Sequence, residues 1–351
     1  MRVSKLLTVL MALLLVLGLS FQAFAGNPDK RGTAGAMELL IPMGAKGTAL
    51  AGSNIASVTG VDAMYWNPAG ITCMNSNIET SFSYMKWIAD VNISYGALAF
   101  KTGLGTLGLG FQSLGFGDIP VTTEQFPNGN GAFFSPQYMT AIVSYSRAMT
   151  DRTFIGVNAK FVSEKIVETS ASTVAIDMGV QYISEFGVRV GVVLKNFGQP
   201  LKFDGTDLDR QVEMPDTPPN TPTRYLRLQA DQAELPSLFE IGLGYDFSPM
   251  EKTMLSFNGA FRHNNYSTDQ ILVGLEANYN DILFLRGGYE YGLTTGEDPL
   301  GESDYIFGPA FGFGLVQPLS GTMSIAFDFA YRTWAADYFD NNMYFTAKLL
   351  F

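Results

Sequence analysis

The chain has 351 residues, and its 22 lysines and arginines against 33 aspartates and glutamates give a formal net charge of −11. That balance excludes a nucleic-acid partner, which calls for a basic surface. Only 16% of residues are charged, whereas 47% are hydrophobic and 37 are glycine; ordinary soluble domains carry roughly 25% charge. Beyond residue 25 no apolar run approaches the roughly 20 residues of a membrane-spanning helix. A transmembrane β-barrel satisfies all of its backbone polar groups between strands without such helices, and it fits this composition.

At the N-terminus, Arg2 and Lys5 precede an apolar run of 14 residues, 6–19, and Ala23-Phe24-Ala25 has the small-x-small form of a cleavage site. Residues 1–25 therefore read as a cleaved export signal; a membrane anchor would need a longer run and would not be followed at once by the polar stretch 26–30. Gly26, not cysteine, stands directly after the cleavage point, which excludes a lipoprotein signal. Removing two positive charges leaves 20 against 33, or −13. Cys73 is the only cysteine, so no disulfide framework exists, and it reads as a structural apolar thiol.

Residues 26–75 show no strong alternation. They are rich in glycine and alanine (Gly44-Ala45-Lys46-Gly47, Gly52-Ser53-Asn54) and end on Asp62-Ala63-Met64-Tyr65-Trp66-Asn67-Pro68-Ala69-Gly70. Leu39, Leu40, Ile41, Met43 and Trp66 make this segment too apolar for a disordered tail. A barrel with room in its lumen would take it as an internal plug, its small residues allowing close backbone approach. Asn67-Pro68 is also a turn signal.

Residues 76–351 alternate with period two, the mark of strands. In the last segment Met343, Phe345, Ala347, Leu349 and Phe351 oppose Asn342, Tyr344, Thr346 and Lys348. Fourteen such segments begin near Asn77, Asp90, Leu104, Gln137, Thr153, Ser172, Val188, Ser237, Lys252, Gln270, Ile282, Tyr305, Thr322 and Asn342. Charges such as Lys160, Asp177, Lys195, Glu240, Arg286 and Lys348 keep to the face otherwise made of Gly, Ser, Ala and Asn. That face suits a crowded lumen better than the water-facing side of a soluble sandwich. Aromatics at strand ends (Trp87, Tyr182, Phe247, Tyr279, Tyr291, Tyr331, Trp334) predict interfacial girdles. The long connections, 115–136, 199–236 and 294–304, follow the third, seventh and eleventh segments, while connections after even segments are short. Short periplasmic turns and long outer loops are the outer-membrane pattern, and an even count places both chain ends in the periplasm.

The runs 38–52 and 62–70 resemble the N-terminal signature of the PorV/PorQ family, in the superfamily of the long-chain fatty acid transporter FadL. The resemblance covers about 35 residues and centres on Trp66, Asn67, Pro68, Ala69 and Gly70. It implies a fourteen-stranded all-β barrel with an N-terminal hatch in the lumen, Asn67-Pro68-Ala69 lying near the route to the lumen. It also implies one of two tasks: a partner-binding role in type IX-like protein secretion or surface attachment, or passage of fatty acids and other hydrophobic compounds. Passage needs an apolar lining, for which inward Ile142, Val193, Leu272 and Phe284 are candidates. Secretion needs exposed apolar residues on outer loops, for which Phe126, Phe133, Phe134, Tyr225, Leu226 and Leu228 are candidates. The expected partners are outer-membrane lipid, the barrel assembly machinery, whose C-terminal signal Phe351 resembles, and secretion proteins or hydrophobic small molecules.

Nothing calls for a cofactor or metal. His263 is the single histidine and reads as a surface residue, and Glu297, Asp298, Glu302 and Asp304 read as a solvated acidic tip without a calcium-loop spacing. No phosphate loop, HExxH or CxxC is present, so the expected role is non-enzymatic.

Overall fold

The computed structural model describes residues 30–212, 224–293, 307–319, 323–334 and 339–351. The export signal at 1–25, the acidic tip and the prolines at 215–222 lie outside the described residues.

Fourteen strands form one antiparallel barrel: β1 (Ile78–Lys86), β2 (Asn92–Thr102), β3 (Gly105–Gly115), β4 (Gln137–Ala148), β5 (Thr153–Ile166), β6 (Thr169–Ile183), β7 (Val188–Gly198), β8 (Leu238–Met250), β9 (Thr253–Asn264), β10 (Gln270–Tyr279), β11 (Leu283–Gly292), β12 (Phe307–Pro318), β13 (Ser324–Trp334) and β14 (Asn342–Leu350). Each pairs with its neighbours in sequence, and β1 closes on β14 from Glu79↔Leu350 to Lys86↔Met343. Closure removes the sheet edge that would otherwise present unpaired N–H and C=O groups.

Period two sorts the side chains cleanly. On β6, Val174, Ile176, Met178, Val180 and Tyr182 are exposed on the outside, while Ala171, Thr173, Ala175, Asp177 and Gln181 are buried in the lumen. The charged residues of the alternating segments stand inside, among them Lys160, Asp177, Lys195, Glu240, Glu290 and Asp328, all under 5% exposed. Two of the predicted girdle residues do not face outward. Trp334 is buried at the lumen side of β13, stacked on Phe307 at 4.9 Å, with Trp87 at 5.6 Å. Trp334 turns inward because even positions from Ala326 to Trp334 share the inward face of β13.

Turns after even strands form one rim, where the Phe351 carbonyl accepts from the amide of Asn77 at 2.7 Å. Connections after odd strands form the opposite rim. The described chain starts at that opposite rim, not beside Phe351: the Gly35 amide donates to the Glu234 carbonyl just before β8 at 2.9 Å. An even strand number fixes only where β1 begins and β14 ends. The preceding segment crosses the lumen once, so it starts at the other end.

This crossing segment contains α1 (Ala45–Ala49), α2 (Ala63–Trp66) and 3-10 turns at Met37–Leu40, Ser53–Ala56, Gly60–Asp62 and Pro68–Cys73. Such short helices satisfy few of their own carbonyls, and wall side chains complete them. Asn158 donates to Met64 at 2.7 Å, Gln181 to Ile55 and Val58 at 3.0 Å, Ser146 to Ala69 at 2.9 Å and Gln112 to Glu38 at 3.2 Å. Where the plug backbone touches the wall, the wall residue is glycine: a methyl on Gly191 would stand 2.6 Å from the Ala56 Cα and the Ile55 carbonyl.

Replacing Gly191 with Ala therefore overpacks the plug–wall contact, and unfolding in detergent should show a loss of about 1–3 kcal/mol. Gly96→Ala, whose added methyl meets nothing within 4 Å, should change stability by less than about 0.5 kcal/mol.

Candidate functional site

The Trp66–Gly70 turn is built from its side chains outward. Asn67 is fully buried; its Oδ1 accepts from the Ala69 amide at 3.2 Å, and its Nδ2 donates to the Ile55 carbonyl at 2.9 Å and to the Val180 carbonyl of β6 at 3.3 Å. One amide thus caps the following 3-10 turn, ties two parts of the plug together and fixes both to the wall. Pro68, at the first position of that turn, has no amide to satisfy. Trp66 donates its Nε1 to the Met43 carbonyl at 3.1 Å. Its indole lies against Gly47 and Gly52, and Gly52 is in the left-handed region at φ +75°, which no bulky residue adopts cheaply. Lys195, 2% exposed, places its ammonium 4.2 Å from the Tyr65 ring centroid and 5.5 Å from that of Trp66, a cation–π contact inside the barrel.

Around this turn the lumen has two unlike sides. On β8–β14 the wall is ionic. Arg262 bonds Glu240 at 2.7 Å and Glu290 at 3.2 Å, Arg332 pairs with Glu290, Arg286 bonds Glu276 at 2.5 Å and Asp328 at 2.6 Å, and Lys348 reaches Asp328 at 2.9 Å. Lys348 also pairs with Asp62 of the plug. On β1–β4, among inward Ser81, Ser83, Gln112, Thr140 and Ser144, the apolar residues Met85, Ile93, Tyr95, Leu114 and Ile142 join Met43, Met64, Trp66, Ile71 and Met74 of the plug in one buried cluster. Trp87, Val91, Phe116 and Tyr138 extend it to the rim of long connections, and Met74 brings it to the other end, just before β1. This cluster forms an apolar lane of contacting side chains along one side of the plug.

The sequence-derived lining residues divide. Ile142 belongs to this lane; Val193 and Leu272 sit with Ile55 and Ala260 in a separate cluster; half-buried Phe284 lies beside the Arg286 guanidinium at 5.2 Å. The structure does not bring the four together. Met85, Ile93, Tyr95 and Leu114 were the signal missed, large apolar residues on the otherwise small face of neighbouring strands.

Of the outer-loop candidates, Phe133 and Phe134 pair with Ile119–Pro120 in a two-stranded ribbon, and Phe126 and Phe133 are exposed. Tyr225 and Leu226 lie in a second ribbon, Asp209–Val212 with Arg224–Arg227, exposed like Leu228 beside it. His263 is half-buried, its Nδ1 2.8 Å from Asp269, because the turn after β9 folds back over it. Among the described residues no three His, Cys, Asp or Glu side chains gather as a metal site.

At the outer end of the plug Glu38 and Glu164 of β5 face one another, both 4% exposed, each with one carboxylate oxygen lacking a partner. Burial, and then the Glu164 carboxylate, push the Glu38 carboxyl up to about 8. A raised carboxyl favours the folded state below its unfolded value of about 4.5, and that benefit is lost as pH rises through about 8. Thermal unfolding followed from pH 5 to pH 9 should show the melting temperature falling by a few degrees. Glu38→Gln, which holds its hydrogens at every pH, should flatten that decline.

No known family profile matches the sequence, and no curated protein matches it. Solved structures do. The CymD monoaromatic hydrocarbon channel is 12% identical with a TM-score of 0.53, 88% of this chain and 97% of that one being covered. The toluene transporter TbuX of Ralstonia pickettii is 13% identical at a TM-score of 0.51, with coverage of 88% and 97%. The P. putida toluene transporter TodX is 12% identical at 0.52, with coverage of 88% and 96%. At such identity the likeness is one of fold: this chain shares the barrel fold of these channels.

Proposed function

We propose that the protein is a non-enzymatic outer-membrane channel that admits small hydrophobic molecules, with residues 26–75 as its hatch and Trp66–Gly70 as the hatch's inner catch. The observation that carries this reading is the apolar lane between plug and β1–β4, which reaches from the outer mouth to the inner rim. Four methionines, Met43, Met64, Met74 and Met85, belong to it, and unbranched thioethers repack around varied apolar shapes more readily than branched side chains do. Aromatic hydrocarbons, the cargo named for the fold's neighbours, match such a lining in size and polarity. The export signal, outer-membrane placement and a targeting role for Phe351 complete the reading. The partner-binding role of PorV/PorQ type rests on a different observation, the exposed apolar residues of the two outer ribbons. The lane gives transport the stronger support.

Native mass spectrometry of the protein extracted gently from its own membrane separates the two. Transport predicts a bound hydrocarbon or lipid that Trp66→Ala displaces, and uptake of labelled toluene by expressing cells that Met85→Gln slows several-fold. A stoichiometric protein partner, lost when 126–134 is deleted, with no hydrophobic ligand retained, would sink the transport reading.

A further inference from the structure

The turns of the rim that carries Phe351 share one feature. Each short connection after an even strand presents a large apolar side chain to the outside: Leu104 after β2, Met149 after β4, Phe186 after β6, Met250 at the end of β8, Ile282 after β10 and Leu319 after β12, between 42% and 79% exposed. Where β14 meets β1, Ile78 and Phe351 complete the ring at 42% and 40%. Single exposed apolar residues need no explanation. One on every hairpin around a whole rim does, because water-exposed tight turns are built from Gly, Asn, Asp, Ser and Pro.

The height of the outward apolar band supplies the reason. On β6 it runs from Val174 to Tyr182, on β8 from Phe239 to Phe247 and on β10 from Ile271 to Tyr279. Each row covers eight residue steps, about 26 Å of strand at 3.3 Å per residue, or about 20 Å along the barrel axis at the usual tilt near 40°. The apolar band of such barrels is about 25 Å tall. The turn residues Phe186, Met250 and Ile282 lie beyond the ends of these rows on the Phe351 side and lengthen the band there. The turns also carry charges: Arg147, Arg152 and Lys252 have stems long enough to keep their heads in the polar layer, and Asp151, Glu185, Glu251 and Asp281 stand beside the ring residues, Glu185 paired with Arg152 at 2.6 Å.

We propose that this rim is immersed in the membrane, its ring of apolar turn residues contacting the phospholipid leaflet at the boundary of headgroups and acyl chains. The occupant is lipid because each ring residue of a turn stands within four positions of the last outward apolar residue of the strand before it, Tyr145, Tyr182, Phe247, Tyr279 and Leu315 among them. The inference rests on the outer-membrane reading given above. It places the inner end of the apolar lane, at Ile71 and Met74, within reach of that leaflet, so that a hydrophobic solute leaving the lane passes little water.

The test uses the full chain with Cys73→Ser in phospholipid vesicles, labelled with a nitroxide at one introduced cysteine at a time. The sites are Leu104→Cys, Phe186→Cys, Met250→Cys and Ile282→Cys, with Val143→Cys in the middle of β4 and Asn130→Cys in an outer loop as references. Immersion predicts collision with a water-soluble nickel chelate roughly tenfold below that at position 130, as a polar complex is excluded from the apolar layer, with oxygen collision close to that at position 143. Turn sites that behave like position 130 while position 143 stays protected would overturn the inference alone and leave the rim free for a periplasmic protein. Nickel access at position 143 as well would overturn the membrane reading, and this inference with it.

Discussion

A barrel whose first strand bonds its last has no free edge, and that closure governs everything inside it. Once β1 is fixed to β14, alternate residues on all fourteen strands are committed to one face or the other, and a shift of one residue would turn each row inside out. The lumen that results is lined by whatever the small-and-polar rows supply. Its plug is too short of regular helix to satisfy its own carbonyls. The wall must therefore offer glycines where the backbones touch and amides or hydroxyls where carbonyls are left over, and Gly191, Asn158, Gln181 and Ser146 do so.

The charges of the lumen follow a rule with mechanical meaning. Lys160 with Asp177, Arg262 with Glu240 and Glu290, and Arg286 with Glu276 and Asp328 are all pairs between wall strands. A buried charge that loses its partner is strongly destabilising, and these wall pairs outlast movement of the plug, although Glu276 also feels the charge of Lys46 on the plug. Lys348 loses Asp62 and keeps Asp328. The ionic side thus braces the barrel, while the opposite side holds the plug chiefly by apolar packing, with Glu79 accepting from the Val61 amide at 2.9 Å as its charged contact.

Much of the wall was legible in the sequence because alternation is a local signal that closure only reinforces. The strand number, the inward charges and the short turns of one rim all followed from it. Trp87 and Trp334 were misread because an aromatic at a strand end fits a membrane interface and a lumen mouth equally well, and only the parity of β13 decides. The buried apolar cluster beside the plug was legible in part. Ile142 was found as an inward apolar residue, but Val193 and Leu272 meet Ile55 instead, since which plug side chain lies opposite depends on a path with no periodicity. Met85, Ile93, Tyr95 and Leu114 stood out only as breaks in the inward pattern on neighbouring strands, a signal that becomes visible once strands are laid side by side.

The methionines of the lane have a chemical consequence. Met43, Met64, Met74 and Met85 are each no more than 4% exposed, so an aqueous oxidant reaches them only when the plug loosens. Conversion of a thioether to a sulfoxide makes a flexible apolar side chain polar, and four such changes along one side of the plug would make polar the strip on which the proposed passage of hydrocarbons rests. Oxidative chemistry outside the cell would therefore record how often the lane opens, and would progressively close it to the molecules it suits.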